Sequence, residues 1–177
     1  MKKYELTAEF IEKWGKKLFR IKALISFGSV EAGELGGYVE KEDNLAQDGD
    51  AWVYGNAEVC GDAWVCGNAR VYGDAEVCGD ARVCGDAEVY GNADYLLIGR
   101  IGSGFSFTTF FKNKDKGITV SCGCFLGTIA EFRAKVTDTH GNNKHAKIYN
   151  LAADMAELQL LGEEYFDKLN TNKSEPF

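Results

Sequence analysis

A unit of six residues recurs eight times without interruption between Gly49 and Leu96, and this repeat constrains the possible folds more than any other feature. Each unit reads Gly, then Asp or Asn, then Ala, a variable residue, Val, and Tyr or Cys, until Tyr95 ends the valine series. Side chains two positions apart leave an extended chain on the same face, so each alanine and valine should line one interior. Gly and its Asp or Asn neighbour tolerate φ > 0 and suit a corner. The period therefore predicts a coil with three flat sides and one hexad per side.

The V-x-G-[DN]-A-x units resemble the left-handed parallel β-helix built from hexapeptide repeats, and the handedness comes from that resemblance alone. Weaker hexads at Val39 and Leu45 extend the repeat back to about Gly37. The predicted fold is mainly β, with a short left-handed parallel β-helix of about three coils over residues 37–96. A helix/strand cap over 1–36, a C-terminal α+β module over 97–169 and a disordered tail over 170–177 complete the prediction.

The flanking segments carry local signals for helices and strands. Thr7 is placed to cap a helix over AEFIEKW that Gly15 would end, and LFRIKALI alternates like a strand. LLIGRIG, FSFTTFF and GITVSCGCF also read as strands. Thr128 and Glu131 form a capping box for a helix that Gly141 should stop. A second helix from about Lys144 has an apolar stripe typical of a packing face: Ile148, Leu151, Met155, Leu158 and Tyr165, interrupted by Gly162.

Stacking of residues three hexads apart predicts columns along the outside of the coil. The expected pairs and columns are Tyr54, Tyr72 and Tyr90; Cys60 over Cys78; Cys66 over Cys84; Trp52, Arg70 and Glu88; and Trp64 over Arg82. Tyr, Trp and Arg are enriched in interfaces, so Trp52, Tyr54, Trp64, Tyr72 and Tyr90 are candidate interface residues. A solvated, self-stacking face is the alternative. The resemblance implies a homo-oligomer, with a trimer favoured.

The cysteines and the charge indicate the compartment and exclude some partners. The opening residues MKKYELTAEF lack an apolar leader, which predicts a cytoplasmic protein, in a bacterial host cell, with reduced structural thiols and no membrane partner. The net charge is −7, and residues 49–96 hold nine acidic and two basic groups, which disfavours duplex nucleic acid. Cys122, Cys124, His140 and His145 could form a zinc site, but C-x-C is tighter than the usual ligand spacing, and we expect no metal or other cofactor.

Function is predicted from the flanks, because the repeat lacks a general base. Beyond the hexads, ALISF…GELGGYVEKEDNLAQDGDAWVYGNA and IGRIGS…TTFFKNK…CGCF resemble uncharacterised hexapeptide-repeat proteins of phages and prophages. The resemblance implies context and architecture but no chemistry. We predict a non-enzymatic, oligomeric binding protein of phage or mobile-element type that sequesters a small anionic, nucleotide-like ligand or a host factor. The alternatives are a structural or protein-interaction scaffold and a CoA-dependent acyltransferase. The last is disfavoured because both histidines lie beyond the repeat.

The Gly-rich segment GRIGSG and the residues after it are the predicted ligand site. Backbone N–H groups of a glycine turn together with an arginine can hold a phosphate, although the pattern is not a P-loop. The alternative is that the glycines simply form a strand corner. The candidate ligand-binding residues are Arg100, Ser103, Thr108, Thr109, Lys112, Cys122, Cys124 and His140.

Overall fold

A computed structural model describes residues 1–162, which form parts of two compact units, residues 1–94 and 95–177. We call them unit 1 and unit 2. Among the described residues no helix is both long enough and apolar enough to cross a membrane. The predicted tail over 170–177 and Tyr165 lie outside the described residues.

Unit 1 begins with three antiparallel strands: β1 (Tyr4–Lys13), β2 (Lys16–Ala23) and β3 (Leu35–Val39). Seven strands of two residues follow, one in each of the first seven hexads. They are β4 (Trp52–Val53), β5 (Glu58–Val59), β6 (Trp64–Val65), β7 (Arg70–Val71), β8 (Glu76–Val77), β9 (Arg82–Val83) and β10 (Glu88–Val89). All parallel pairs among these seven join residues three hexads apart, as in Trp52 with Arg70 and Arg70 with Glu88.

The alanine and valine side chains of the first seven hexads form the core of unit 1. From Ala51 to Val89 each of them is at most 1 % exposed. The eighth hexad differs, because Asn92–Asp94 forms a 3₁₀ turn and Ala93 is exposed instead of lining the interior. The period-two pattern therefore predicted which side chains are buried, up to the last unit.

The predicted left-handed parallel β-helix is wrong as a description of the fold. The sheets of the described residues are small and mixed: β1-β2-β3-β5-β8, β10-β7-β4, β6-β9 and an antiparallel sheet in unit 2. Within residues 1–162 they do not close into a solenoid. Each hexad supplies only two residues to a strand, so parallel pairing stays short, whereas the flanking antiparallel strands have four to ten residues. One flank also joins the repeats directly, since β3 pairs with β5.

The predicted N-terminal helix is also wrong, because its residues form strand β1. Phe10 pairs with Phe19 and Ile11 with Leu18 across the hairpin, and the Thr7 hydroxyl accepts from the Glu9 amide instead of capping a helix. The two-residue turn Trp14–Gly15 has φ values of 51° and 74°, as a tight hairpin turn requires. Lys13, just before this turn, lies 2.8 Å from the Glu58 carboxylate and fastens the hairpin to the repeats.

Unit 2 packs two helices against one antiparallel sheet. The sheet contains β11 (Tyr95–Ile101), β12 (Ser106–Lys112), β13 (Ile118–Cys122) and β14 (Phe125–Thr128), in that order. The helices are α1 (Ile129–His140) and α2 (Lys144–Leu161). Both helices that the sequence predicted for this part of the chain are confirmed.

The predicted start and end signals of α1 are confirmed as well. The Thr128 side chain accepts from the Glu131 amide and the Glu131 carboxylate accepts from the Thr128 amide, so the capping box is complete. Gly141 ends α1 as predicted. Gly162, which was predicted only to interrupt the apolar stripe, ends α2. These short-range contacts need only neighbours in sequence, which is why the sequence predicted them.

Candidate functional site

A cavity of about 110 Å³ lies in unit 2 between the helices and strands β13 and β14. The side chains that line it combine aromatic, thiol and cationic groups. They are Cys122, Phe125, Phe132, Lys135, Val136, Thr139, His140 and Tyr149. Phe132, Val136 and Tyr149 are buried, whereas Lys135 and Thr139 are exposed at the mouth.

The inner wall of the cavity is aromatic. The Phe132 ring lies edge to face with Tyr149, with centroids 5.6 Å apart and planes at 89°, and makes the same contact with Phe110 at 5.9 Å. Phe125 packs against Phe132 from the sheet side at 5.6 Å. Such rings bind a flat apolar group through edge and face contacts.

The Cys122 sulfur and the Tyr149 hydroxyl form the polar part of the wall. The Thr108 hydroxyl donates to Cys122 Sγ at 3.2 Å, and Tyr149 shares a hydrogen bond with the same thiol. Burial, followed by the neighbouring Cys122, raises the pKa of Tyr149, while a hydrogen bond from the Ser103 backbone acts in the opposite direction. Tyr149 therefore stays a neutral hydroxyl that is held in place from both sides.

The Gly-rich turn contacts the same hydroxyl. Gly102 has φ = 73°, and a Cβ on it would overlap the Tyr149 hydroxyl. The turn that the sequence suggested for a phosphate therefore has one of its amides, that of Ser103, directed at a side chain of the protein itself. Close approach to Tyr149 is the physical reason for glycine at position 102.

Two imidazoles stand beside the aromatic wall. The His140 ring stacks on Tyr149, with centroids 5.7 Å apart and planes at 26°, and lies 5.8 Å from the His145 ring. The buried Nδ1 of His145 has no hydrogen-bond partner among the described residues. At the mouth, Lys135 Nζ lies 3.5 Å from the Asp138 carboxylate, a distance that leaves its charge largely available in water.

An open groove of about 460 Å³ adjoins the cavity and shares Phe125 and Lys135 with it. The other residues along the groove are Leu126, Glu131, Ala134 and Asp138. The shared residues make one continuous site from an enclosed aromatic end to an open, charged end. A ligand larger than a single ring therefore has space to extend along α1.

The structure brings together some of the predicted ligand-binding residues and separates others. Cys122 and His140 line the cavity, Thr108 bonds the Cys122 thiol, and Ser103 contributes its backbone. The remaining candidates do not line it. Arg100 stacks over the Phe107 ring at 5.6 Å, Thr109 and Lys112 lie on β12, and Cys124 is exposed in the turn after β13.

Sequence reasoning missed Phe132, Lys135 and Tyr149 as members of the site. Phe132 belongs to the buried face of α1, together with Val136. Tyr149 belongs to the buried face of α2, with Ala146, Ala152, Ala153 and Ala156. One tyrosine among alanines on a helical face indicates that the small side chains leave space for its ring. This pattern is present in the sequence and could have identified Tyr149.

The zinc alternative does not fit the arrangement. Within residues 1–162 no three His, Cys, Asp or Glu side chains lie close enough to hold a metal ion together. Cys122 is instead bonded by Thr108, while Cys124 is exposed in the turn.

The predicted columns of unit 1 are partly confirmed. Tyr54, Tyr72 and Tyr90 stack, with centroids 4.6 and 4.8 Å apart, and Trp64 pairs in register with Arg82. Trp52 is fully buried against Tyr4 and Phe27, so its placement on an outer face is wrong. Residues that precede the repeat, in β1 and between β2 and β3, cover the face of the hexads on which Trp52 lies. The hexad pattern by itself did not show that this face is covered.

The four repeat cysteines are also paired, contrary to the expected free thiols. Disulfides join Cys60 to Cys78 and Cys66 to Cys84, each between residues 18 apart. Cys122 and Cys124 remain free. The predicted stacking of these cysteines is confirmed, and the predicted reduced state is wrong.

No family model matches the chain, and no curated protein matches it. The resemblance to hexapeptide-repeat proteins therefore stays a prediction, and the phage setting that it implied has no support in these comparisons.

Proposed function

We propose that the chain is a binding protein whose unit 2 takes a small ligand with one flat ring and an acidic group. The observation that carries the proposal is the cavity, where Phe132 and Tyr149 offer aromatic surface and Lys135 stands at the mouth. Ligand sites are concave, mostly apolar and equipped with a few convergent polar groups. The cavity of unit 2 has these properties and is large enough for a single ring.

The aromatic wall supports a planar part of the ligand, and Lys135 supports one acidic group at the mouth, while the groove beyond also holds the carboxylates of Glu131 and Asp138. A ring can enter against Phe132, and the acidic group then faces Lys135 and the neighbouring His140. Cys122 and Tyr149 offer weakly polar groups inside, which suit a ring nitrogen or carbonyl. The volume of about 110 Å³ admits one ring, and the adjoining groove of about 460 Å³ receives whatever is attached to it.

Binding is proposed in preference to acyl transfer. The hexads contain no histidine that could act as a general base, and the two histidines of the chain lie in unit 2, His140 in α1 and His145 in α2. His140 stacks on Tyr149 and its neighbour is a second imidazole, an arrangement suited to holding a ring.

Titration calorimetry of the full chain with benzoate and with uridine monophosphate tests the proposal. Binding of either compound should be weakened about tenfold by Lys135→Ala, which removes one charge contact at the mouth. Ala134→Phe should block extension along the groove and weaken the binding of uridine monophosphate more than that of benzoate. Lys147→Ala is the matched control, because it removes an exposed lysine of the same unit that lies outside the cavity.

Absence of binding heat and of any melting-temperature shift with both compounds would refute the proposal. Equal effects of Lys135→Ala and Lys147→Ala would also refute it, since the attraction would then be a property of the net charge.

A further inference from the structure

Helix α2 carries a row of large apolar side chains that the fold leaves exposed. Leu151 and Met155 are 64 % and 55 % exposed, and Ile148 and Leu158 are close to 40 %. The opposite face of α2 is the buried one, with Tyr149, Ala153, Ala156 and Leu160 among its residues. We call the four exposed side chains the α2 stripe. The sequence predicted them as a packing face, yet nothing within the described residues packs on them sufficiently to bury them.

The spacing makes the α2 stripe a continuous ridge. Its members are three, four and three residues apart, so they lie above one another on one side of the helix. At 1.5 Å per residue the ridge is about 15 Å long. Single exposed apolar side chains are ordinary, whereas an aligned row is typical of a surface that receives another element.

The charges around the α2 stripe are cationic at one end. Lys144 and Lys147 continue the ridge toward the start of α2, and neither makes an ion pair within residues 1–162. The acidic residues of the helix are already engaged, because Arg133 binds Asp154 and Glu157 at 2.7 Å each. The free charge along this side of α2 is therefore positive.

The net charge of unit 2 is also positive. Unit 2, residues 95–177, contains ten basic and nine acidic groups, a net charge of +1, although the whole chain carries −7. Lysines at the N-terminal end of a helix also oppose its dipole, so a partner that supplies negative charge there relieves an unfavourable contact.

We propose that the α2 stripe docks an amphipathic helix of a partner protein that carries acidic residues at the end facing Lys144 and Lys147. The partner's apolar side chains would pack between those of the stripe, as in other helix pairs. A lipid surface fits less well, since the stripe has no aromatic residue, is only about 15 Å long and has just two free lysines.

A synthetic helical peptide as long as α2 tests this inference. It carries Leu at every a and d position of its heptads and Glu at the e and g positions of one end, and a fluorescent label reports binding to the full chain by anisotropy. Leu151→Glu should weaken binding about tenfold or more, since it removes one buried leucine contact and buries a charge. Phe105→Glu is the matched control, because Phe105 is 71 % exposed and lies outside the α2 stripe.

A charge exchange identifies the contact at the cationic end. The double variant Lys144→Glu/Lys147→Glu should bind the Glu peptide more weakly than the wild type does. A second peptide with Lys in place of Glu should bind this variant better than it binds the wild type. Recovery by the exchanged peptide also shows that the variant is folded.

Three results would overturn the inference. They are equal binding by the wild type and Leu151→Glu, co-sedimentation with vesicles of phosphatidylcholine and phosphatidylserine without peptide binding, and a dimer in light scattering that Leu151→Glu dissociates. The last result would assign the stripe to a second copy of the chain. None of these results depends on a ligand in the cavity of unit 2.

Discussion

Removal of the disulfide between Cys60 and Cys78 should destabilise unit 1 by an amount that the sequence separation determines. The bond closes a loop of 18 residues across two hexads that are adjacent in the sheet. The chain-entropy model for a cross-link gives about 3 kcal/mol for a loop of this length. For a unit of this size, each kcal/mol shifts the melting temperature by roughly 4–8 °C, so the double variant Cys60→Ala/Cys78→Ala should melt roughly 12–24 °C lower.

The second disulfide, between Cys66 and Cys84, overlaps the first loop in sequence, so the two contributions should not add. Once the first bond is absent, removal of the second should cost more than it does in the intact protein. Circular dichroism during heating, with and without a phosphine reductant, measures both effects. Cys124→Ala is the control, because Cys124 is a free and exposed thiol in unit 2.

Alkylation of the native protein provides the refuting measurement. Two free thiols, Cys122 and Cys124, should react before reduction and all six after it. If all six react without reductant, the disulfides do not form in solution. If the bonds form but their removal shifts the melting temperature by only a degree or two, the loop-closure argument is wrong.

Three further predictions concern single contacts. Lys3→Met should lower the urea midpoint, because the buried Lys3 ammonium donates to the carbonyl of Ala51 at 3.0 Å and to two neighbouring carbonyls, and an unpaired buried group costs about 1–3 kcal/mol. Burial lowers the pKa of Lys3 to about 8, below the 10.5 of the unfolded chain, so the unfolded state binds more protons in between. The stability of the wild type relative to Lys3→Met should therefore rise as pH increases from about 8, and a flat difference would contradict this. Thr128→Ala should cost unit 2 about 1 kcal/mol by chemical denaturation, whereas Thr128→Ser should retain the cap. Gly102→Ala should displace Tyr149, lower the melting temperature of unit 2 and weaken benzoate binding; Gly104→Ala, which meets open space, should change neither.

The helices of unit 2 illustrate what local sequence is sufficient to predict. The Thr128 and Glu131 contacts lie within one helical turn, and Gly141 ends α1 where the sequence placed the end. The end of α2 at Gly162 was not predicted, because the apolar spacing continued to Tyr165. The N-terminal segment is the counterexample, since AEFIEKW has a helical pattern but forms β1. Pairing with β2 across Trp14–Gly15 satisfies its backbone, and such long-range pairing overrides a weak local preference.

The cavity of unit 2 depends on contacts between elements that are distant in sequence. Cys122 and His140 were recognisable candidates, yet their neighbour Tyr149 comes from another helix, and the aromatic wall needs Phe110 and Phe125 from two different strands. Residue type alone could not show that the Gly-rich turn meets a tyrosine hydroxyl in place of a ligand.

By itself the sequence determined the burial of the alanines and valines in the first seven hexads, the stacking of residues three hexads apart and both ends of α1, because each of these follows from the period of the backbone or from neighbours within a turn. The tertiary structure decided that the hexads belong to several small mixed sheets, that Trp52 is buried, that the repeat cysteines are joined and that the α2 stripe faces outward. Those outcomes depend on which segment, distant in sequence, packs on each face. A local pattern shows that a face is apolar, but it does not show which segment packs on it.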